Sequence, residues 1–136
     1  MKAPSVSRHV RMAVAAALLT MLDWLVWLGW DQRYDVHPDG SVSGPYEAWQ
    51  VIGFVLVLVV AAGPAAWRGH AVATLAGATA GMAVATTFDW SDDASGLWLV
   101  GAFLMTAGTL VLGGVYVGLI AFLRNQARRT SGLPRS

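Results

Sequence analysis

Cysteine is absent from the 136-residue sequence, which excludes disulfide staples, thiolate metal sites and thiol nucleophiles whatever the compartment. Charge is scarce: acidic and basic residues make up 12% of the chain, against about 25% in a soluble domain, while 56% is hydrophobic. Lysine occurs once, at Lys2, and arginine supplies the other eight cations. Also missing are a phosphate-cradling glycine loop, a dinucleotide fingerprint, a Ser-His-Asp arrangement and a metalloprotease motif. With no reacting constellation to assemble, the chain is expected not to be an enzyme, and to need neither cofactor nor metal. Nucleic-acid recognition needs a basic domain that is lacking here.

What is present is apolar. Charges and turn residues punctuate four hydrophobic stretches, 12–30, 48–67, 71–88 and 97–123. At about 1.5 Å rise per residue, roughly 20 residues cross a hydrocarbon core of about 30 Å, and a helix satisfies its own backbone groups. The expected fold is therefore all-α, a four-helix transmembrane bundle. Alanine, glycine and threonine make the third stretch the least hydrophobic of the set. Pro64, near the end of the second, predicts a local kink.

Orientation follows from arginine and lysine, which are retained on the cytoplasmic side of short connections. Lys2, Arg8 and Arg11 fall in the basic N-terminus 1–11, Arg68 in the turn 68–70, and Arg124, Arg128, Arg129 and Arg135 in the tail 124–136. Asp31, Asp35, Asp39 and Glu47 occupy the loop 31–47, where Arg33 alone of the nine cations also falls, and Asp89, Asp92 and Asp93 the loop 89–96. Both termini are thus expected inside, at the plasma membrane, with two acidic loops outside. Residues 1–22 have the outline of a signal peptide, but Asp23 and a run of tryptophans follow with no small-x-small site, so this segment is expected to remain as the first span. Trp30, Trp49, Trp90 and Trp98 fit an outer interfacial belt and Trp67 an inner one, while Trp24 and Trp27 lie deeper.

Between helices in lipid, small residues permit the close backbone approach that holds them together. Gly77 and Gly81 form a G-x-x-x-G pair on the third stretch, and Gly114 and Gly118 another on the fourth. The third stretch is therefore expected at the centre of the bundle, unless one of these faces drives a homo-oligomer. Thr20-Met21-Leu22-Asp23-Trp24 resembles Thr86-Thr87-Phe88-Asp89-Trp90, which raises an internal hairpin duplication as a reading alongside chance similarity.

Asp23 is the one acid inside a span, and such a residue usually faces a bundle interior or a wet cavity. Thr79 and Thr106 are expected at its depth as hydrogen-bond donors. Its readings are a proton or cation relay site, or a hydrogen-bonded aspartate that fixes helix register. Asp35, Asp39 and Glu47 partly match a calcium loop, D-x-[DN]-x-[DN]-G. His37 stands where an oxygen ligand belongs, however, and Tyr46 holds the closing position, one residue ahead of Glu47. The readings are a weak extracellular cation site or an Asp-Gly turn. The arginine-rich tail is expected to meet anionic headgroups.

Ser43-Gly44-Pro45-Tyr46-Glu47-Ala48-Trp49-Gln50-Val51, with the Asp-Trp ends of the first and third stretches, resembles a group of small integral membrane proteins of actinobacteria. That resemblance implies a four-span membrane protein with no assigned activity and no catalytic residues. The expected function is a non-enzymatic accessory or interaction protein of the cell envelope. Its expected partners are the lipid bilayer and a larger membrane protein or a second copy. The alternative is a small proton- or cation-coupled transporter using Asp23.

Overall fold

The computed structural model describes residues 3–30 and 34–132. Lys2, Asp31, Arg33 and Arg135, which contribute to the charge pattern, lie outside the described residues. In chain order come helix α1 (Ala3–Trp27), a short ladder of β1 (Asp35–Val36) with β2 (Val42–Ser43), helix α2 (Ala48–Ala65), a single π turn (Ala66–His70), helix α3 (Ala71–Trp90) and helix α4 (Trp98–Thr130). The fold is all-helical apart from that ladder, whose antiparallel register pairs Asp35 with Ser43 and Val36 with Val42. The expected Asp-Gly turn closes it, with Gly40 at φ 85° and its N–H bonded to the His37 carbonyl at 2.9 Å.

Three helical stretches are long and apolar enough to cross a membrane: Val6–Trp27, Ala48–Trp90 and Trp98–Thr130. The middle one, of 43 residues, is broken at Gly69, whose φ of 96° no helix accommodates. Drawn straight, it would extend about 65 Å. Yet Trp90 at its far end donates a hydrogen bond to Tyr46, just before its start, at 2.9 Å. The chain therefore folds back at Gly69, and α2 and α3 run antiparallel.

Helix α3 lies between α1 and α4, and its buried residues are mostly small: Ala73, Thr74, Gly77, Gly81, Ala85 and Thr86, with Met82 the large exception. Its glycines seat it on α1. A side-chain carbon on Gly77 would overlap the Ala13 carbonyl, and one on Gly81 would stand 2.6 Å from the Ala17 carbonyl oxygen. On the other side Leu75 packs over Gly113 and Gly114 of α4. Helix α2 is tied to α4 by the Tyr116 hydroxyl, which donates to the Val59 carbonyl at 2.9 Å, and to α1 at its start. Gln50, fully buried, accepts from the Glu47 N–H at 2.6 Å and donates to the Trp27 carbonyl at 3.1 Å.

Two helices overrun the expected spans. Helix α1 begins at Ala3 and α4 continues to Thr130, so both carry helical structure into their basic flanks. Arg128 and Arg129 then sit in the last turn of α4, where cations complement the helix dipole. At its other end α1 stops at Trp27 instead of Trp30, because the N–H groups of Leu28 and Gly29 both turn back to the Trp24 carbonyl. Leu22, Leu25, Val60, Phe103 and Leu112 are each more than half exposed on the outer surface. An apolar surface of that extent drives association in water, whereas lipid is its natural medium. The chain is a membrane-embedded helical protein.

Candidate functional site

Three elements meet where α1 ends, α2 begins and α3 ends. The Trp24 indole, almost fully buried, donates to Asp89 Oδ2 at 3.0 Å, and the Tyr46 hydroxyl donates to the same oxygen at 2.9 Å. Trp90 in turn donates to the Tyr46 hydroxyl. The ring of Trp24 packs edge-on against Tyr46, Phe54 and Trp90, with centroids 5.6 to 5.9 Å apart. Each such pair contributes about 0.5–1.5 kcal/mol beyond its buried area, and a hydrogen bond to a charged group about 1.5–3 kcal/mol. Burial, reinforced by the carboxylate beside it, holds the Tyr46 hydroxyl protonated far above the usual phenol range. This cluster is a polar tie between the ends of α1 and α3 and the segment before α2.

Below the tie opens a cavity of about 590 Å³. Trp24, Tyr46 and Trp90 line the end nearest the tie, Met12, Ala65 and Thr74 the opposite end, and Phe54, Met82 and Met105 the middle. Nearly all of the lining is apolar, drawn from every helix. It exists because α2 carries bulky residues and stands off from the others, where α1 and α3 meet through glycine and alanine. The space is half open to the surroundings, a groove and not a sealed void. Water needs polar partners to fill such a space, and this lining offers few.

Asp23 is 5% exposed, and its Oδ2 has no hydrogen-bond partner. It does not line the cavity. Ala13 against Gly77 and Ala17 against Gly81 set α3 parallel to α1 at an offset of 64 positions. That register brings Asp23 to the level of Thr87 and Thr79 to that of Ala15, about 12 Å away along the axis. Thr106 donates to the Ala102 carbonyl of its own helix at 2.7 Å, while Thr79 Oγ1 is buried without a partner. Asp23, Thr79 and Thr106, expected at one depth, are not brought together. Nor is the similarity between the two Asp-Trp dipeptides matched by reciprocal bonding: Trp24 reaches Asp89, but Trp90 bonds Tyr46 instead of Asp23.

In the loop between α1 and α2, Asp39 Oδ1 accepts from the Ser41 N–H at 2.9 Å and the Ser41 hydroxyl at 2.6 Å, which holds its carboxyl below the usual carboxylate range. The side chain of Asp35 lies outside the described residues, and Glu47 caps the start of α2. Among the described residues, no group of three or more His, Asp or Glu side chains is placed to hold a metal ion. Of the packing glycines, Gly77 and Gly81 are closely filled, whereas a carbon added to Gly114 would make ordinary contact and one on Gly118 would meet nothing within 4 Å.

Sequence reasoning missed Tyr46, which it met only as the residue that spoils a calcium loop. It also missed the pairing of His9 with His70, whose rings stack edge-on at 5.7 Å at the basic end. The only signal for Tyr46 was its place in the distinctive segment before α2. Set against known proteins, the chain matches no family model, no curated protein and no solved structure.

Proposed function

We propose that this chain is a non-enzymatic interaction protein of the cell envelope that holds a hydrocarbon tail of a membrane lipid between its helices. It crosses the plasma membrane four times, with both termini on the cytoplasmic side and the Trp24–Tyr46–Trp90–Asp89 tie toward the outer surface. The fold-back at Gly69 and the separation of arginines from acids support that topology. The likeness to small actinobacterial membrane proteins belongs to the same proposal and assigns no activity.

The observation that carries the reading is the cavity. Along α1 it runs from Met12 to Leu28, about 24 Å by helical rise, which makes it an elongated space. An elongated space with a nearly wholly apolar lining suits extended hydrocarbon. A partner helix, from a second copy or a larger membrane protein, finds its surface instead on α4, where Gly118 is open. Transport through Asp23 is not favoured, since neither Thr79 nor the cavity continues a polar path from it.

The test uses Gly108, which lines the cavity and where an added side chain meets nothing within 4 Å. Gly108→Leu should fold normally and lose co-purifying lipid in native mass spectrometry, whereas Gly118→Leu should retain it. Equal lipid retention by the two variants would contradict the proposal.

A further inference from the structure

At the basic end the chain builds a second pocket, separate from the hydrocarbon cavity. It measures about 470 Å³ and is lined by Trp67, Arg68, Arg124, Ala127, Arg128 and Ser131. Its three arginines come from two places far apart in sequence, the π turn and the last three turns of α4. Gly69 makes their convergence possible: a side-chain carbon there would lie 3.1 Å from Arg124 Nη1, so the guanidinium rests against bare backbone. The same glycine supplies the positive φ that reverses the chain.

Among the described residues, no carboxylate lines this pocket. The acids of the sequence are Asp23, Asp31, Asp35, Asp39, Glu47, Asp89, Asp92 and Asp93. Asp23 lies near the far end of α1, and the others belong to the two outer connections. Arg68 and Arg124 both line the pocket, and guanidinium groups match the paired oxygens of a phosphate in a fixed fork geometry. Trp67, about half exposed at the rim, offers an indole of the kind that sits at headgroup level.

We propose that this pocket binds the phosphate of an anionic membrane lipid headgroup, with Arg68 and Arg124 as its principal ligands. The chemistry required is a phosphate ester at the bilayer surface, reached from lipid on the Trp67 side. The inference rests on the membrane-embedded reading, but not on the hydrocarbon cavity being filled.

The test is lipid competition on the full chain, reconstituted in phosphatidylcholine bilayers with and without phosphatidylglycerol, released and weighed by native mass spectrometry. The quantity read is the ratio of the two lipids retained, which stays measurable even if the interior cavity holds none. Phosphatidylglycerol should be enriched, and Arg124→Gln or Arg68→Gln should lower that enrichment by about ten-fold, the loss expected for a charge-assisted contact. Adding Gln126→Arg to Arg124→Gln returns the net charge to the tail at an exposed position outside the pocket. It should not restore the enrichment; full restoration would mean diffuse surface attraction and would overturn the site. Displacement of phosphatidylglycerol by equimolar inorganic phosphate would assign the pocket to a soluble anion and overturn the lipid assignment. A retained-lipid ratio of one in the parent chain would overturn both. Circular dichroism on each variant separates loss of a ligand from loss of fold.

Discussion

Helices α2 and α3 are consecutive and of similar length, 18 and 20 residues, yet they play opposite parts. Helix α2 is the more apolar by inspection, rich in valine and leucine, and buries only Gln50 and Phe54. Helix α3, rich in alanine, glycine and threonine, buries seven residues. In lipid, hydrophobicity does not bring helices together, because the acyl chains are as apolar as leucine. Small side chains do, by letting backbones approach. The stretch that a hydropathy profile ranks lowest is therefore the one that organises the molecule, and the one it ranks among the highest stands off and leaves a cavity.

The sharpest way to break that contrast is to place bulk at the close approach. Gly77→Leu forces a side chain into the Ala13 carbonyl and should destabilise by more than about 4 kcal/mol, seen as loss of folded protein in detergent. Gly118→Leu on open surface should be nearly neutral by the same assay. Next in size is the polar tie that anchors the loosely packed helix. Trp24→Phe removes the indole donor to Asp89 and should lower stability by about 2 kcal/mol in thermal unfolding. Tyr46→Phe, which breaks two links of the chain Trp90–Tyr46–Asp89, should cost about as much.

Filling the cavity should act in the other direction. Gly108→Leu replaces a helical glycine and adds packing, so it should raise stability by about 1 kcal/mol while displacing bound lipid. The smallest effect belongs to the loop before α4. The Asp93 carboxyl accepts from the Ser95 hydroxyl at 2.6 Å and the Ser95 N–H at 3.0 Å, and these bonds hold its pKa below the usual value. A depressed carboxylate supports its turn above the ordinary pKa of about 3.9 and loses that support as pH falls through its own lower value. The Ser95 amide resonance should therefore hold steady from neutral pH to about 4 and shift only below it.

Much of the helical layout was legible because apolar runs between charges admit little else at this length. Gly77 and Gly81 were legible as a packing face, but their partner was not: the alanines of α1 at 13 and 17, and not the glycines of α4, complete the contact. Depth was the weakest inference. Helix α1 ends at Trp27 and not at Trp30, and the α1–α3 register carries Thr79 away from Asp23. Trp24 and Trp90 illustrate a further limit. Tryptophan near a span end predicts an interfacial belt, and Trp30 and Trp49 are exposed accordingly. Whether an indole turns inward depends on an acceptor such as Asp89, supplied from 65 positions away. The arginine pocket was hidden for the same reason, since Arg68 and Arg124 meet only after the chain has reversed at Gly69.

The account stands on that reversal carrying the chain back across the bilayer, and the cysteine-free sequence makes it directly measurable. Single variants Ser41→Cys, Arg68→Cys, Ser95→Cys and Ser131→Cys are each exposed to a membrane-impermeant maleimide on intact cells and again after permeabilisation. Cys at 41 and 95 should label from outside, and Cys at 68 and 131 only once the membrane is opened. Labelling at 68 and 131 from opposite faces would contradict the account, because α3 would then not cross.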